Sequence, residues 1–351
     1  MGTSAHLKNS FVSLALAMTM GMGTGMVAGP GRAMAADFFA GRNTTIIVGN
    51  DVGGGFDAYA RLFARHLPRV IAGQPGIIVQ NMPGAGSATA TAYVSRVAAK
   101  DGTVMGAITP GAIVAPLFDD QTRRQYDPDR LIYLTSADSG SRLCVTWGES
   151  STKNMADAKI KKTIIGAAGS GSSSSDYAKL HRATSGFNFE IVSGYKGTGD
   201  ILLAMERREV DGFCGVDWAS LTSQRPDWIR DGKINLLFEV GVKPNPELSK
   251  RNVPQVWESM TDAQARAVVE LVTSQQDFAR PYVMAPGNPP EAVKILRAAF
   301  AALYLDERFL SDAAKSSLIL APIYGEEVQE LVAKLYGAPK PVVEAARSVL
   351  K

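Results

Sequence analysis

Thr45-Ile46-Ile47-Val48-Gly49-Asn50-Asp51-Val52-Gly53-Gly54-Gly55-Phe56-Asp57 contains the decision about this fold. Thr45 to Val48 is a β-branched run, the composition of a buried strand. Three glycines end it. Tyr59, Leu62, Phe63 and Leu67 then recur at helical spacing on one face, and Pro68 falls where that helix must stop. Strand, Gly-rich turn and amphipathic helix together form the repeating unit of an α/β domain with mainly parallel strands.

The unit recurs along the chain. Gly76 to Gln80 is a second strand, followed by Asn81-Met82-Pro83-Gly84-Ala85-Gly86-Ser87 and a helix through Tyr93 and Val97. Thr103 to Ile108 is a third, ending at Thr109-Pro110-Gly111. A second series starts near Arg142. Its strands are Leu143 to Trp147, Lys162 to Ala167, Phe189 to Val192, Val210 to Val216 and Ile234 to Val240. Between them lie Gly169-Ser170-Gly171-Ser172-Ser173-Ser174-Ser175 and Tyr195-Lys196-Gly197-Thr198-Gly199, each followed by a helix, and the exit Asp217-Trp218. Ala279 to Ala285 reads as a returning strand, and three helices follow it. That strand-poor tail cannot build a third sheet. The expectation is two domains: residues 36–138 with 277–351, and residues 139–276.

The N-terminus reads as a secretory signal over residues 1–35. Lys8 gives a basic start, Phe11 to Val27 is uncharged, and Ala33-Met34-Ala35 offers a small-x-small cleavage site. The apolar run is broken by Gly21, Gly23 and Gly25 and is short against the roughly 20 residues a span needs. Cleavage near Ala35 removes Lys8 and Arg32 and no acid, which leaves an almost neutral exported chain. In the whole sequence 37 basic residues face 34 acidic ones, which argues against nucleic acid as a partner.

The loops carry the chemistry. In parallel α/β sheets ligands bind beyond the carboxyl ends of the strands. Glycine lets backbone N–H groups approach a ligand, and the helix behind each loop adds partial positive charge. The four loops Gly53–Asp57, Pro83–Ser87, Gly169–Ser175 and Gly194–Gly199 therefore form an anion site that needs no Lys or Arg. Candidate ligand contacts are Gly54, Gly55, Phe56, Asp57, Gly84, Ala85, Gly86, Ser87 and Thr109 on one side. Gly169, Ser170, Gly171, Ser172, Ser173, Tyr195, Lys196, Asp217 and Trp218 lie on the other. Several of these have an equally good plain reading. Asp57 either complements the helix dipole, accepts from the ligand or holds its loop in shape. Trp218 either lines the cleft or packs in the core, and Lys196 is otherwise a solvated lysine.

Motifs of catalysis are missing: no Gly-x-Ser-x-Gly elbow, no phosphate loop ending in Gly-Lys-Ser/Thr, no His-Glu-x-x-His. Three histidines and two cysteines leave little for a metal centre, and no cofactor or metal is expected. His66 and His181 fall inside amphipathic helices, as surface or core residues. Cys144 and Cys214 lie on predicted strands in an oxidising compartment, so they are either bonded or two buried thiols.

Taken together, Val52-Gly53-Gly54-Gly55-Phe56-Asp57 with Ala60-Arg61, Asn81-Met82-Pro83-Gly84-Ala85-Gly86, Lys100-Asp101-Gly102, Tyr195-Lys196-Gly197 and Val210-Asp211 resemble the extracytoplasmic solute receptors of tripartite tricarboxylate transporters, the Bug receptors. The resemblance spans nearly the whole chain after residue 35. It implies a periplasmic, two-domain Venus-flytrap protein, a monomer, that closes on a small organic carboxylate and delivers it to membrane permease subunits. It also implies that the first-domain loops Gly54–Asp57 and Gly84–Ser87 hold the carboxylate, with Gly169–Ser173 facing them. Asp51 near the mouth and Gly215-Val216-Asp217-Trp218 depart from the family pattern. An exported hydrolase or lyase for an anionic substrate, or a sensor subunit, are the alternatives.

Overall fold

The computed structural model describes residues 38–169, 172–241 and 244–350. The expected signal peptide, Ser170 and Gly171 lie outside them. Eleven strands form two sheets among the described residues. The first contains β1 (Asn43–Val48), β2 (Gly76–Asn81), β3 (Val104–Ala107), β4 (Ile132–Ser136), β10 (Pro281–Met284) and β11 (Ile323–Tyr324), in the order β11-β4-β10-β3-β1-β2. The second contains β5 (Arg142–Trp147), β6 (Thr163–Ala168), β7 (Phe189–Tyr195), β8 (Gly212–Asp217) and β9 (Ile234–Val240), in the order β7-β6-β8-β5-β9. Helices cover them: α1 (Gly55–His66), α2 (Ala88–Arg96), α3 (Pro110–Phe118), α4 (Ser173–Thr184), α5 (Thr198–Glu206), α6 (Trp218–Gln224), α7 (Ala263–Thr273), α8 (Pro290–Leu303), α9 (Gly325–Tyr336) and α10 (Lys340–Leu350).

The sheets are mixed. β1 pairs in parallel with β2 and β3, and β6 with β7 and β8. These are the strands that feed the Gly-rich loops, and there the parallel expectation holds. β10 runs antiparallel to β3 and β4, and β5 antiparallel to β8 and β9. The chain crosses between the sheets at 137–141 and again at 274–280. A strand that begins at a crossing enters its sheet from the end that carries the Gly-rich loops, so it runs opposite to strands that end there. β4 was not legible in the sequence because no Gly-rich turn or helix follows it.

The first core centres on Phe63 of α1. Its ring centroid lies 4.9 Å from Tyr282, 5.0 Å from Phe300 and 5.2 Å from Phe309. A second cluster joins Leu143, Val145, Ile201, Phe213 and Trp228. A third runs between the sheets, from Ile47, Ile108 and Val283 to Cys144, Phe238, Val332 and Ala346. α8 and α9 pack on β4, with the first sheet. The last helix does not stay there. α10 lies against α4 and α7 of the second unit and α3 of the first, and Arg347 Nη2 donates to the Leu117 carbonyl at 3.2 Å. Its apolar residues Val342, Val343, Ala346 and Val349 cover the shared cluster, which draws it across both units.

Candidate functional site

Asp57 decides the shape of the first loop. It is 2 % exposed, and both oxygens are engaged. Oδ2 accepts from the Gly53 amide at 2.9 Å and from Arg61 Nε at 2.8 Å, and Oδ1 accepts from Asn81 Nδ2 at 3.0 Å. Asn81 also donates to the Asn50 carbonyl at 2.9 Å, so one carboxylate ties the ends of β1 and β2 together. The Arg61 guanidinium holds the Asp57 carboxyl below its usual range, so the clamp stays ionised. Of the roles read for Asp57, loop shaping is the one these bonds describe. Gly54 and Gly55 remain exposed at the N-terminus of α1.

The second loop is a left-handed turn. Ala85, Gly86 and Ser87 have φ of +46°, +60° and +79° in succession. Two of the three carry side chains, which costs about 1–2 kcal/mol at each such position. Thr109, after β3, holds the turn: its Oγ1 donates to the Gly86 carbonyl at 2.7 Å, and its amide donates to Ser87 Oγ at 3.3 Å. Ser87 is 1 % exposed, so it is a support of the loop, while Gly84, Ala85 and Gly86 are open.

This geometry makes Gly86→Val a clean test of the loop. Nothing lies within 4 Å of a Cβ added at Gly86, so the fold has room for it. A branched side chain there still resists φ of +60° and stands over the exposed backbone. We expect binding of a stabilising carboxylate to weaken by about tenfold or more, with folding stability reduced by only about 1–2 kcal/mol. Titration calorimetry and a thermal melt of the same variant check both numbers. Native affinity in a folded valine variant would move the site elsewhere.

On the second sheet the serines knit the loop and cap its helix. Ser172 Oγ accepts from the Ser175 amide at 3.3 Å and lies 3.0 Å from Ser174 Oγ, and the Ala168 amide donates to Ser174 Oγ at 2.9 Å. Gly215, with φ of +77°, lets β8 pass under this loop: an added Cβ would meet the Ser173 carbonyl oxygen at 2.5 Å. Gly169 is exposed and Ser172 and Ser173 are half-buried at the start of α4. Tyr195 is half-buried, and Lys196 is exposed with its amide on Asp200 Oδ2 at 3.3 Å. Trp218 is 8 % exposed and belongs to the second core cluster, so the packing reading describes it.

Between the two sets of loops the crossings add residues that the sequence reading missed. Arg280 stands just before β10, and its guanidinium lies 4.5 Å from the Phe56 ring centroid. Arg142 opens β5, opposite Asp217 of β8. Asp138, in the first crossing, is 5 % exposed. Burial, and then the charge of Asp217, push its pKa up to about 6, against the pull of Arg280. The two crossings are laced together by backbone: the Ala279 amide donates to the Asp138 carbonyl at 2.9 Å, and the Ala137 amide to the Arg280 carbonyl at 3.0 Å. The available signal was the polar stretch Asp138-Ser139-Gly140-Ser141-Arg142 at the first crossing; the second, Asp277-Phe278-Ala279-Arg280, carries only its two flanking charges.

No protein-family model and no curated protein matches the sequence. Solved structures do match the fold. A TctC solute binding protein from Polaromonas, without ligand, gives a TM-score of 0.68 with 18% identity over 88% of this chain and 98% of that one. The periplasmic binding protein BugD gives 0.60 with 20% identity, over 89% of this chain and 98% of its own. MatC from Rhodopseudomonas palustris, with bound malate, gives 0.58 with 22% identity, over 89% and 100%. The likeness is one of fold, and the fold is that of a two-domain periplasmic binding protein.

Proposed function

We propose that this chain is a periplasmic solute-binding protein that captures a small organic carboxylate for a tripartite tricarboxylate-type transporter and presents it to the membrane permease subunits. The observation that carries the reading is the position of the exposed loops Gly54–Phe56, Gly84–Gly86 and Ser172–Ser173. Each follows a strand that pairs in parallel and precedes a helix, the arrangement that suits an anion. The loop resemblance and the likeness of fold to TctC, BugD and MatC support the same reading, and MatC holds a dicarboxylate.

In this reading the ligand's carboxylate sits on Gly54–Phe56 and Gly84–Ser87, steadied by Thr109, and the Gly169–Ser173 loop closes over it with Tyr195 and Lys196 at the rim. Residues 36–138 with 277–351 move against 139–276 about the two crossings. The protein is exported, its signal removed near Ala35, and it works as a monomer that binds without turnover.

A thermal-shift screen against a carboxylate library tests this. A specific ligand at 100 times its dissociation constant stabilises by about 2.7 kcal/mol, and small-angle scattering of that complex should show compaction. If no carboxylate shifts the melt, the reading fails. Chemical turnover of a bound carboxylate would favour the exported enzyme instead.

A further inference from the structure

The anion site was expected to work without basic side chains, yet a guanidinium stands on each side of the cleft. Arg280 lies over Phe56 and Tyr59, at 4.5 and 5.5 Å from their centroids, beside the first loop. Arg142 Nη1 donates to the Gly215 carbonyl at 2.9 Å and to Ser173 Oγ at 3.4 Å, beside the facing loop. Among the described residues neither forms an ion pair, and Arg280 Nε is buried without a partner. Two carboxylates share this floor. Asp138 is repelled by Asp217 and attracted by both Arg280 and Arg142, so the other three charges all lie within electrostatic reach of it. The Asp217 side chain turns toward the crossing, where a Cβ added at Gly140 would lie 2.9 Å from its Oδ2.

Four charges of both signs this close would ordinarily collapse into two ion pairs. Here each is held back by a local partner. The Ala279 carbonyl, at 3.1 Å from Nη1, and the two rings hold Arg280. The Gly215 carbonyl holds Arg142. The amide and hydroxyl of Ser220, at 2.9 and 2.8 Å, hold Asp217 Oδ1, and the Ser139 amide holds Asp138. Separated opposite charges in a partly desolvated cleft are costly when empty and complementary to a ligand of mixed charge.

The geometry points to a ligand that carries an ammonium group as well as a carboxylate, the carboxylate on Arg280 and the first loop, the ammonium toward Asp217 and Asp138. This deepens the carboxylate reading and rests on it. A plain dianion sets new negative charge against Asp138 and Asp217, where burial weakens solvent screening. A plain monoanion occupies Arg280 and leaves two carboxylates to the single guanidinium of Arg142. A zwitterion meets both needs with no net charge added.

The test is calorimetric titration of the exported protein at pH 7.5 with matched pairs: glutamate against glutarate, and 4-aminobutanoate against butanoate. The aminated member of at least one pair should bind about tenfold tighter or better. Asp217→Asn keeps an oxygen for the Ser220 cap and should weaken the aminated member until the pair lies within about threefold. Asp138→Asn, as a second variant, should do the same, and Arg280→Gln should weaken both members together. Tighter binding by the unaminated members, or a preference that survives both Asp→Asn changes, overturns the proposal and leaves the carboxylate reading standing. No binding by any of the four, together with a silent carboxylate screen, removes both.

Discussion

Lowering the pH from 7 to 4 is expected to remove about 3 kcal/mol of folding stability through His181 alone. His181 lies on α4, 0 % exposed, among aromatic rings, with Phe238 at 5.0 Å between centroids. Its Nε2 is buried without a partner, and Nδ1 has only Ser185 Oγ at 3.4 Å. Burial alone drives its pKa down from 6.5 to about 3. The unfolded chain therefore takes up a proton that the folded chain refuses. The stability is present above pH 6.5 and is lost as the pH falls toward 3.

Asp138 acts with the opposite sign. Its pKa rises from 3.8 to about 6, so the folded state holds the extra proton in that window. Its contribution is full below pH 3.8 and is lost as the pH rises through 6, by about 3 kcal/mol at most. The two slopes offset each other in the native protein, so single variants should separate them. His181→Phe suits the aromatic surroundings and should leave a protein that gains stability from pH 7 to pH 4. Asp138→Asn should leave one that loses it steeply. Urea midpoints at pH 7, 5.5 and 4 read both. A phenylalanine variant with the same pH dependence as the parent would refute the assignment to His181.

The second large effect is that of the disulfide. Cys144 and Cys214 are bonded, 70 residues apart in sequence, across the antiparallel pair β5–β8. In the chain-entropy model a loop of that length is worth roughly 4 kcal/mol. Both residues are 0 % exposed, and they sit in the cluster shared by the two units, so the Cys144→Ala/Cys214→Ala double variant also loses core packing. It should unfold about 2–5 kcal/mol more easily than the parent. Arg142 and Asp217 lie at the same ends of these two strands, so ligand affinity should fall along with stability. Reductant should act only under conditions that open the fold. Thiol titration of the denatured, unreduced protein should find no free thiols, and two would rule the bond out.

The strand–turn–helix units and the four loops were legible because each is a local pattern. Ile46-Ile47-Val48 must be buried, Gly53-Gly54-Gly55 must turn, and Tyr59, Leu62 and Phe63 must face a sheet, wherever the rest of the chain goes. Even the two roles left open for the cysteines came from local placement on strands. Both histidines lie on helices as the periodicity expects: His66 lies 2.9 Å from Asp312 Oδ2, and His181 is buried in the second unit. Local pattern could not assign Asp57, because its partners Gly53, Arg61 and Asn81 come from two different strand–loop units. Nor could it separate cleft lining from packing for Trp218.

What only the tertiary structure decided is the floor of the cleft and the place of the last helix. Asp217 is legible as a candidate contact at the exit of its strand, but Asp138, Arg142 and Arg280 belong to no motif, and each alone reads as an ordinary surface charge. They meet because β5 and β10 begin at the two crossings and run antiparallel to their neighbours, which brings the starts of these strands to the end of the sheets that carries the Gly-rich loops. α10 is amphipathic by its own sequence, but which surface it covers depends on a cluster assembled from both sheets. Periodicity within a segment reports which face is buried. It carries no information about which distant segments supply the surface it is buried against, and that is where the charges of this site were chosen.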